Sequence, residues 1–239
     1  MASEIRIEDA SFWRILQASD AEGVKGAASN KRHKKYVCKS LNLHISDGER
    51  VGLVGANGAG KTTLLRMMSG IFQPDSGTVT IVGKVSSVLD AGFGLDPDLS
   101  GKSNCISRFL MDGVPKSEIE GAVARVENFA ELGEYFEQPI KSYSSGMLTR
   151  LVFSIGIVSN QEILIVDEGF GLADEHFQHK AQKYLSDRLH RASILVLASH
   201  NLGLLQEHCS RGVLMEQGQI IFDGPIEEAI RRYLGTESE

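Results

Sequence analysis

A phosphate-loop signature constrains this chain more than any other feature. Residues Gly55-Ala56-Asn57-Gly58-Ala59-Gly60-Lys61-Thr62 fit the pattern GxxxxGK[ST]. Ahead of it, Arg50 to Val54 reads as a buried strand; behind it, Thr62 to Met68 reads as a helix stopped at Gly70. Glycines there let successive amides turn inward around an anion with no side chain in the way. The helix start adds the positive end of its dipole. Lys61 has the reach to bridge the β- and γ-phosphates of a nucleoside triphosphate, and the Thr62 hydroxyl suits a Mg²⁺ shell. Gly55, Asn57, Gly58, Ala59, Gly60, Lys61, Thr62 and Thr63 are therefore the candidate nucleotide contacts. Strand, glycine loop and helix in that order call for an α/β fold.

The rest of the chain fits such a core. Ile5-Arg6-Ile7 alternates and predicts a short edge strand, and residues 17–35 read as a loop ending in the basic run Lys31-Arg32-His33-Lys34-Lys35. Leu41, Leu43 and Ile45 alternate as a strand before the turn Asp47-Gly48. A turn at 74–77 precedes strands at 78–82 and 85–89. From Gly92 to Gly156 the pattern becomes helical, with Ile119, Val123, Val126 and Phe129 on one face of a predicted helix over 118–132. Strand-like runs return at 163–166, 194–198, 213–216 and 219–222, the last pair around the turn Gln217-Gly218, and 227–234 closes as a helix. Apolar strands separated by helices favour a largely parallel sheet covered on both faces. The expected organisation is a single domain over 1–239. An α/β core would span 1–90 and 157–239, with 91–156 an inserted helical subdomain.

Two further groups end predicted strands. Asp167 and Glu168 follow the apolar run Ile163 to Val166, where Asp167 can hold Mg²⁺ through water and Glu168 can polarise an attacking water. His200 ends the run that begins at Ile194, a position from which a histidine can contact a γ-phosphate. A structural histidine explains it equally well on this ground alone.

Composition removes several alternatives. With 25 basic and 31 acidic residues the chain carries a net charge of −6, so a surface that grips nucleic acid throughout is not expected. The 3 cysteines, Cys38, Cys105 and Cys209, lie far apart without CxxC spacing, so a disulfide scaffold is not expected either. No apolar run reaches the length of a membrane span. MASEIRIEDASF has no basic segment followed by an apolar one, so no secretory signal is read there.

Beyond these segments, Tyr143-Ser144-Ser145-Gly146-Met147 precedes Asp167 where the signature LSGGQ of ATP-binding cassette proteins would stand. Over residues 4–235 the chain resembles the nucleotide-binding subunits of ATP-binding cassette (ABC) transporters. The wording YSSGM, with Phe129-Ala130-Glu131-Leu132-Gly133, Gln138-Pro139-Ile140, Ala91-Gly92-Phe93 and Leu99-Ser100-Gly101, is similar to exporters of O-antigen, capsular polysaccharide and teichoic acid. The resemblance implies a P-loop NTPase (ABC ATPase) core with an antiparallel β edge and the inserted helical subdomain. It implies an ATPase using ATP and Mg²⁺ to power export of a lipid-linked polysaccharide through a separate membrane permease, itself a dimer that handles the polysaccharide. Alternatives are an ABC ATPase exporting another lipid or drug-like substrate, and a non-transport ABC protein. The expected location is the cytoplasmic side of the bacterial inner membrane, as a peripheral subunit.

In that family two subunits sandwich two ATP molecules, so the resemblance implies a homodimer. Ser144 and Gly146 of one copy would face the γ-phosphate held by Lys61 of the other. Asp174 would fall in the D-loop, and His200 in Ala198-Ser199-His200-Asn201 would be the switch histidine. Asp90 replaces the Q-loop glutamine, and a carboxylate there can still reach Mg²⁺ through water. Gly171-Leu172-Ala173-Asp174 departs from the AVGD typical of these exporters. Tyr36 is the favoured adenine-stacking aromatic, with Trp13 and Phe12 as alternatives. Gly92, Gly94 and Gly101 are expected to let residues 91–115 bend, with Phe93, Leu95 and Leu99 as apolar anchors for the permease. Little chain follows Leu234, so the carbohydrate-binding β-sandwich of some O-antigen exporters is not expected here. That leans toward capsule-type or teichoic-type export, or O-antigen systems that recognise no terminal cap.

Overall fold

The computed structural model describes residues 2–16, 33–89, 94–159, 161–167, 176, 177, 180, 181, 184 and 191–235. The chain opens with β1 (Glu4–Leu16), β2 (His33–Ser46) and β3 (Arg50–Val54), then α1 (Lys61–Met68), β4 (Ser76–Val82) and β5 (Val85–Val88). Three helices follow, α2 (Gly101–Met111), α3 (Lys116–Ala130) and α4 (Ser145–Val158). Two short 3₁₀ turns lie between α3 and α4. After β6 (Ile163–Asp167) and β7 (Ile194–Ala198) come α5 (Leu202–His208), β8 (Arg211–Glu216), β9 (Gln219–Pro225) and α6 (Ile226–Tyr233). No helix among the described residues is long and apolar enough to cross a membrane.

Side-chain alternation fixes how the layers stack. The main sheet has six strands in the order β5-β6-β7-β3-β8-β9, parallel throughout except for the antiparallel β8–β9 pair at one edge. Along β6, Ile163 and Ile165 enter one apolar cluster while Leu164 and Val166 enter another. The same switch separates Ile194 and Val196 from Leu195 and Leu197 on β7. Both faces are thus covered, as parallel strands require. One cluster lies against α1 and the antiparallel three-stranded sheet β2-β1-β4. The other lies against α5 and α6.

A third apolar cluster belongs to the helices between β5 and β6. Ile119, Ala122, Val123, Val126, Phe129 and Ala130 are buried along α3, the face its spacing predicts. Most of them pack with Cys105 and Phe109 of α2 and with Leu151 and Ile155 of α4. Each fully buried Val, Ile, Leu or Phe contributes about 1.5–3 kcal/mol, and Phe129, Phe153 and Ile157 on α3 and α4 join the helices to the sheet cluster as well.

Three sequence expectations need correction. β1 is no short edge strand, since it runs 13 residues and pairs on both sides. Irregularities between Ile7 and Ala10 and again before Trp13 break the two-residue period, which hides the strand's length. The loop expected over 17–35 gives way to β2 at His33, so Lys34 and Lys35 are strand residues. Residues 17–32 lie outside the described residues. Gly101 is not a bend, because it opens α2 as a close-packing position. A Cβ there would stand 2.4 Å from the Tyr143 hydroxyl.

Candidate nucleotide-binding site

β3 is flanked by β7 and β8 and ends at the loop 55–60. Gly55, Gly58 and Gly60 have φ of 149°, 81° and 104°, values that glycine alone adopts without strain. Space matters as well as conformation. A Cβ on Gly55 would lie 2.4 Å from the Met215 carbonyl oxygen, and one on Gly60 would lie 2.9 Å from that of Val37. Ala59 N–H donates to the Ala56 carbonyl at 3.1 Å and closes the loop.

The loop delivers the chain into α1 with no side chain capping it and no acid in its first turn. Its early amides and dipole therefore have no anion of their own, the condition that suits phosphate. Lys61 Nζ donates to the carbonyls of Gly55 at 2.5 Å and Ala56 at 3.0 Å, which lays the ammonium along the loop. Partial burial lowers the Lys61 pKa from its ordinary value, and the charge of Asp167 works against that. Thr62 Oγ1 donates to Asp167 Oδ2 at 2.8 Å, joining the helix start to the end of β6. A hydroxyl and a carboxylate side by side form a hard-oxygen pair that fits Mg²⁺. Thr63 is buried, whereas Asn57 and Gly58 are exposed at the loop's tip.

The sheet brings the remaining described groups to the same edge. Ala198 pairs with both Leu53 and Asp167. His200, two residues beyond Ala198, is therefore carried toward the exit of β3 and β6, and its ring is exposed. Glu168, Asp174 and Asp90 lie outside the described residues; Glu168 directly follows Asp167, and Asp90 follows Leu89 after β5.

On the other side of the loop, β2 passes close by. Cys38 Sγ donates to the Gly60 carbonyl at 3.8 Å, and Tyr36 stands two residues earlier on that strand. Tyr36 is 49% exposed, and its ring meets Trp13 edge-on at 5.7 Å. Lys34 Nζ sits 4.0 Å from the Trp13 ring centroid, and Phe12 stacks on Phe72 at 5.0 Å. Of the three aromatics, Tyr36 has the most open ring for a base.

One positioning element was not foreseen from sequence as more than a turn. Gln217 and Gly218 between β8 and β9 take φ of 47° and 79°. Gly218 N–H donates to Ala59 at 3.0 Å, and its carbonyl accepts from Lys39 N–H at 2.9 Å. The turn thereby ties the phosphate loop to the strand that carries Tyr36. Only the register of distant strands reveals this.

Ser144 and Gly146 stand elsewhere. Ser144 is the N-cap of α4, its Oγ accepting from Met147 N–H at 3.2 Å, and no acid occupies the first turn. A hydroxyl that accepts there keeps its own hydrogen to donate. Among the described residues, no hydrogen bond or ion pair joins Ser144 or Gly146 to the phosphate loop. The segment is steadied from another direction. Ile140 N–H donates to Leu99 and Lys141 N–H to Pro97, each at 3.0 Å. Leu95 packs on the helical cluster, and Leu99 is 39% exposed.

Residues 38–171 match the sequence pattern of the family described as ABC transporter. The O-antigen export system ATP-binding protein RfbE of Yersinia enterocolitica is 39% identical over 181 residues, covering 76% of each protein. The ABC transporter protein AbcA of Aeromonas salmonicida is 35% identical, covering 82% of this chain and 63% of that protein. The teichoic acids export ATP-binding protein TagH of Listeria innocua is 34% identical, covering 91% of this chain and 66% of that protein. The chain thus spans roughly two thirds of the length of AbcA and TagH. Among solved structures, a dimeric ATP-binding cassette bound to ADP and Pi superposes with a TM-score of 0.71 at 17% identity. It covers 93% of this chain and 98% of that one, a likeness of fold.

Proposed function

This chain belongs to the ABC transporter family, and from that premise we propose that it is the ATP-hydrolysing subunit of an exporter for a lipid-linked polysaccharide. The observation that carries the nucleotide half of the reading is the glycine cradle of 55–60 opening α1 with Thr62 bonded to Asp167. The activities named for RfbE and TagH support the substrate half, a polymer of O-antigen, capsule or teichoic acid type.

In this reading the residues divide the work of converting ATP and water to ADP and phosphate. The amides of 57–62 surround the phosphates, and Lys61 exchanges its carbonyl partners for phosphate oxygens. Glu168 accepts the proton of the attacking water, and His200 contacts the γ-phosphate. Tyr36 stacks on the base. Thr62 and Asp167 would hold Mg²⁺, with Asp90 as a further carboxylate near it, and the ion would neutralise phosphate charge. Two copies pair head to tail, so that Ser144 and Gly146 of one complete the site of the other and Asp174 links the two sites. The division into a core of 1–90 and 157–239 and a helical subdomain of 91–156 is supported by the separate apolar cluster of α2, α3 and α4. The subunit works peripherally at the cytoplasmic face of a membrane with a dimeric permease. The permease handles the polymer, and the exposed Leu99 is an anchor for it.

An ATPase assay paired with nucleotide titration tests the chemistry. Glu168→Gln is expected to keep Mg-ATP binding and lose nearly all turnover, whereas Lys61→Ala loses binding. A fully active E168Q protein overturns the assignment. For the partner, Leu99→Asp is expected to abolish co-purification with the permease at an unchanged thermal midpoint. Intact association removes Leu99 from that interface.

A further inference from the structure

Glu131 breaks two local rules at one position. It closes α3 in the left-handed region with φ 52°, where glycine or asparagine is the usual choice. It also sets an acid beside the negative end of the helix dipole. Residues that violate local preference mark places where something else is gained.

The contacts of the carboxylate say what. Oε1 accepts from Lys180 Nζ at 2.5 Å, and Oε2 accepts from Arg150 Nη2 at 3.2 Å. Arg150 lies on α4, six residues beyond the Ser144 cap. Lys180 belongs to the chain between β6 and β7, downstream of Asp167, and it also donates to the Phe129 carbonyl at 3.1 Å. Rings fill the joint around these charges. The Lys180 ammonium lies 4.7 Å from the Phe129 ring centroid, and the Arg150 guanidinium lies 5.0 Å from that of Phe177. Phe129 meets Phe177 edge-on at 5.6 Å and stacks with Phe153 of α4 at 6.1 Å. Apolar packing resists separation but directs orientation weakly, whereas two charge-assisted bonds to one carboxylate fix it.

We propose that Glu131 is a positioning residue for the composite ATP site. It holds α4, which carries Ser144 and Gly146, in fixed orientation to Phe177 and Lys180. The inference rests on the reading above, in which Ser144 and Gly146 meet the phosphate loop of a second copy. Glu131 makes none of the phosphate-loop contacts, so the binding of ATP to a single subunit is independent of it.

The test compares E168Q with E168Q/E131Q by sedimentation in Mg-ATP, beside kcat, KM, nucleotide Kd and thermal midpoint of E131Q alone. The expected result is an unchanged Kd and a midpoint lowered by no more than about 1 °C. Turnover and ATP-driven pairing should each fall about ten- to a hundredfold, toward the roughly 10²-fold that a 1 Å misplacement of a reacting constellation can cost. Lys180→Arg should behave as the parent and Lys180→Gln as E131Q, with the E131Q/K180Q double variant no worse than either single change. Equal pairing of E168Q and E168Q/E131Q overturns the inference alone. An E168Q protein that stays monomeric in ATP overturns the dimer reading and this inference with it. Defects in Kd, turnover and midpoint that move together assign Glu131 to stability only and also overturn it.

Discussion

The starts of α1 and α4 both follow small residues and both lack an acid in the first turn, yet one sits in a finished cradle and the other stands in the open. α1 follows the β3 strand, which lies inside the parallel sheet, and its loop is fastened by Ala56, Gly218 and Cys38. α4 rests on the helical cluster, with Ser144 exposed and, among the described residues, bonded only to the start of its own helix. The first arrangement has the geometry of a phosphate cradle. The second has a capping hydroxyl and open amides, and among the described residues none of them is bonded to the phosphate loop. In the proposed reading, similar local chemistry does two jobs, and the second is completed by another copy.

Lys61→Ala and Ser144→Arg should separate those jobs most sharply. The first is expected to remove nucleotide binding from the single subunit. The second is expected to leave Mg-ATP affinity unchanged in calorimetry while abolishing ATP-driven pairing in sedimentation. Glu168→Gln, which spares both helix starts, should lower kcat by about 10²–10⁴, the usual worth of a general base. Binding lost in S144R would erase the distinction between the two helix starts.

Gly218→Ala probes how the finished cradle is fastened. Its Cβ would meet the Val37 carbonyl oxygen at 2.4 Å in a φ of 79°, so a strain of about 1–3 kcal/mol is expected. ATP affinity and thermal midpoint should fall together, the midpoint by about 2–4 °C per kcal/mol. Ser144→Ala should cost about 1 kcal/mol as a lost helix cap, while Ser144→Gly costs only about a few tenths. Thermal scans of the two variants distinguish a cap's loss from a phosphate donor's, because both lose the hydroxyl and pairing should fail in both.

The unevenness between the two regions also explains what the sequence could reveal. The phosphate loop is built from contiguous residues, so its spacing alone identified Gly55 to Thr62 and predicted the strand and helix around it. Asp167 ends β6 and His200 stands two residues past β7, so the apolar runs before them mark both positions in the sequence. β1 was misjudged because its irregular pairing hides a period that runs to Leu16. Gly218 and the Glu131–Lys180 pair were invisible as working parts, since each acts through partners 49 or more residues away. Local pattern finds what local geometry builds.

The smallest effect expected concerns pH. Lys180's hydrogen bond, ahead of the Lys180 and Arg150 charges, holds the Glu131 carboxyl below the ordinary glutamate value, with partial desolvation opposing. A depressed carboxyl stabilises the fold above its unfolded pKa, and that stability is lost as pH falls through the folded value. Partial exposure limits the contribution to about a few tenths of a kcal/mol. Chemical denaturation should therefore find Glu131→Gln slightly less stable than the parent at neutral pH, and equal to it once the pH is below the glutamate range. A gap that widens in acid would contradict the ion pair.

Mixing two disabled subunits tests the composite site most directly. K61A lacks a working phosphate loop and S144R lacks a working α4 start, so neither should form an ATP-closed dimer alone. Combined, they can build one intact site from the phosphate loop of the S144R chain and the α4 start of the K61A chain. Sedimentation of the mixture in Mg-ATP, with E168Q in both chains to prevent turnover, should show an ATP-dependent dimer absent from either sample alone. A mixture that remains as monomeric as its components would contradict the account.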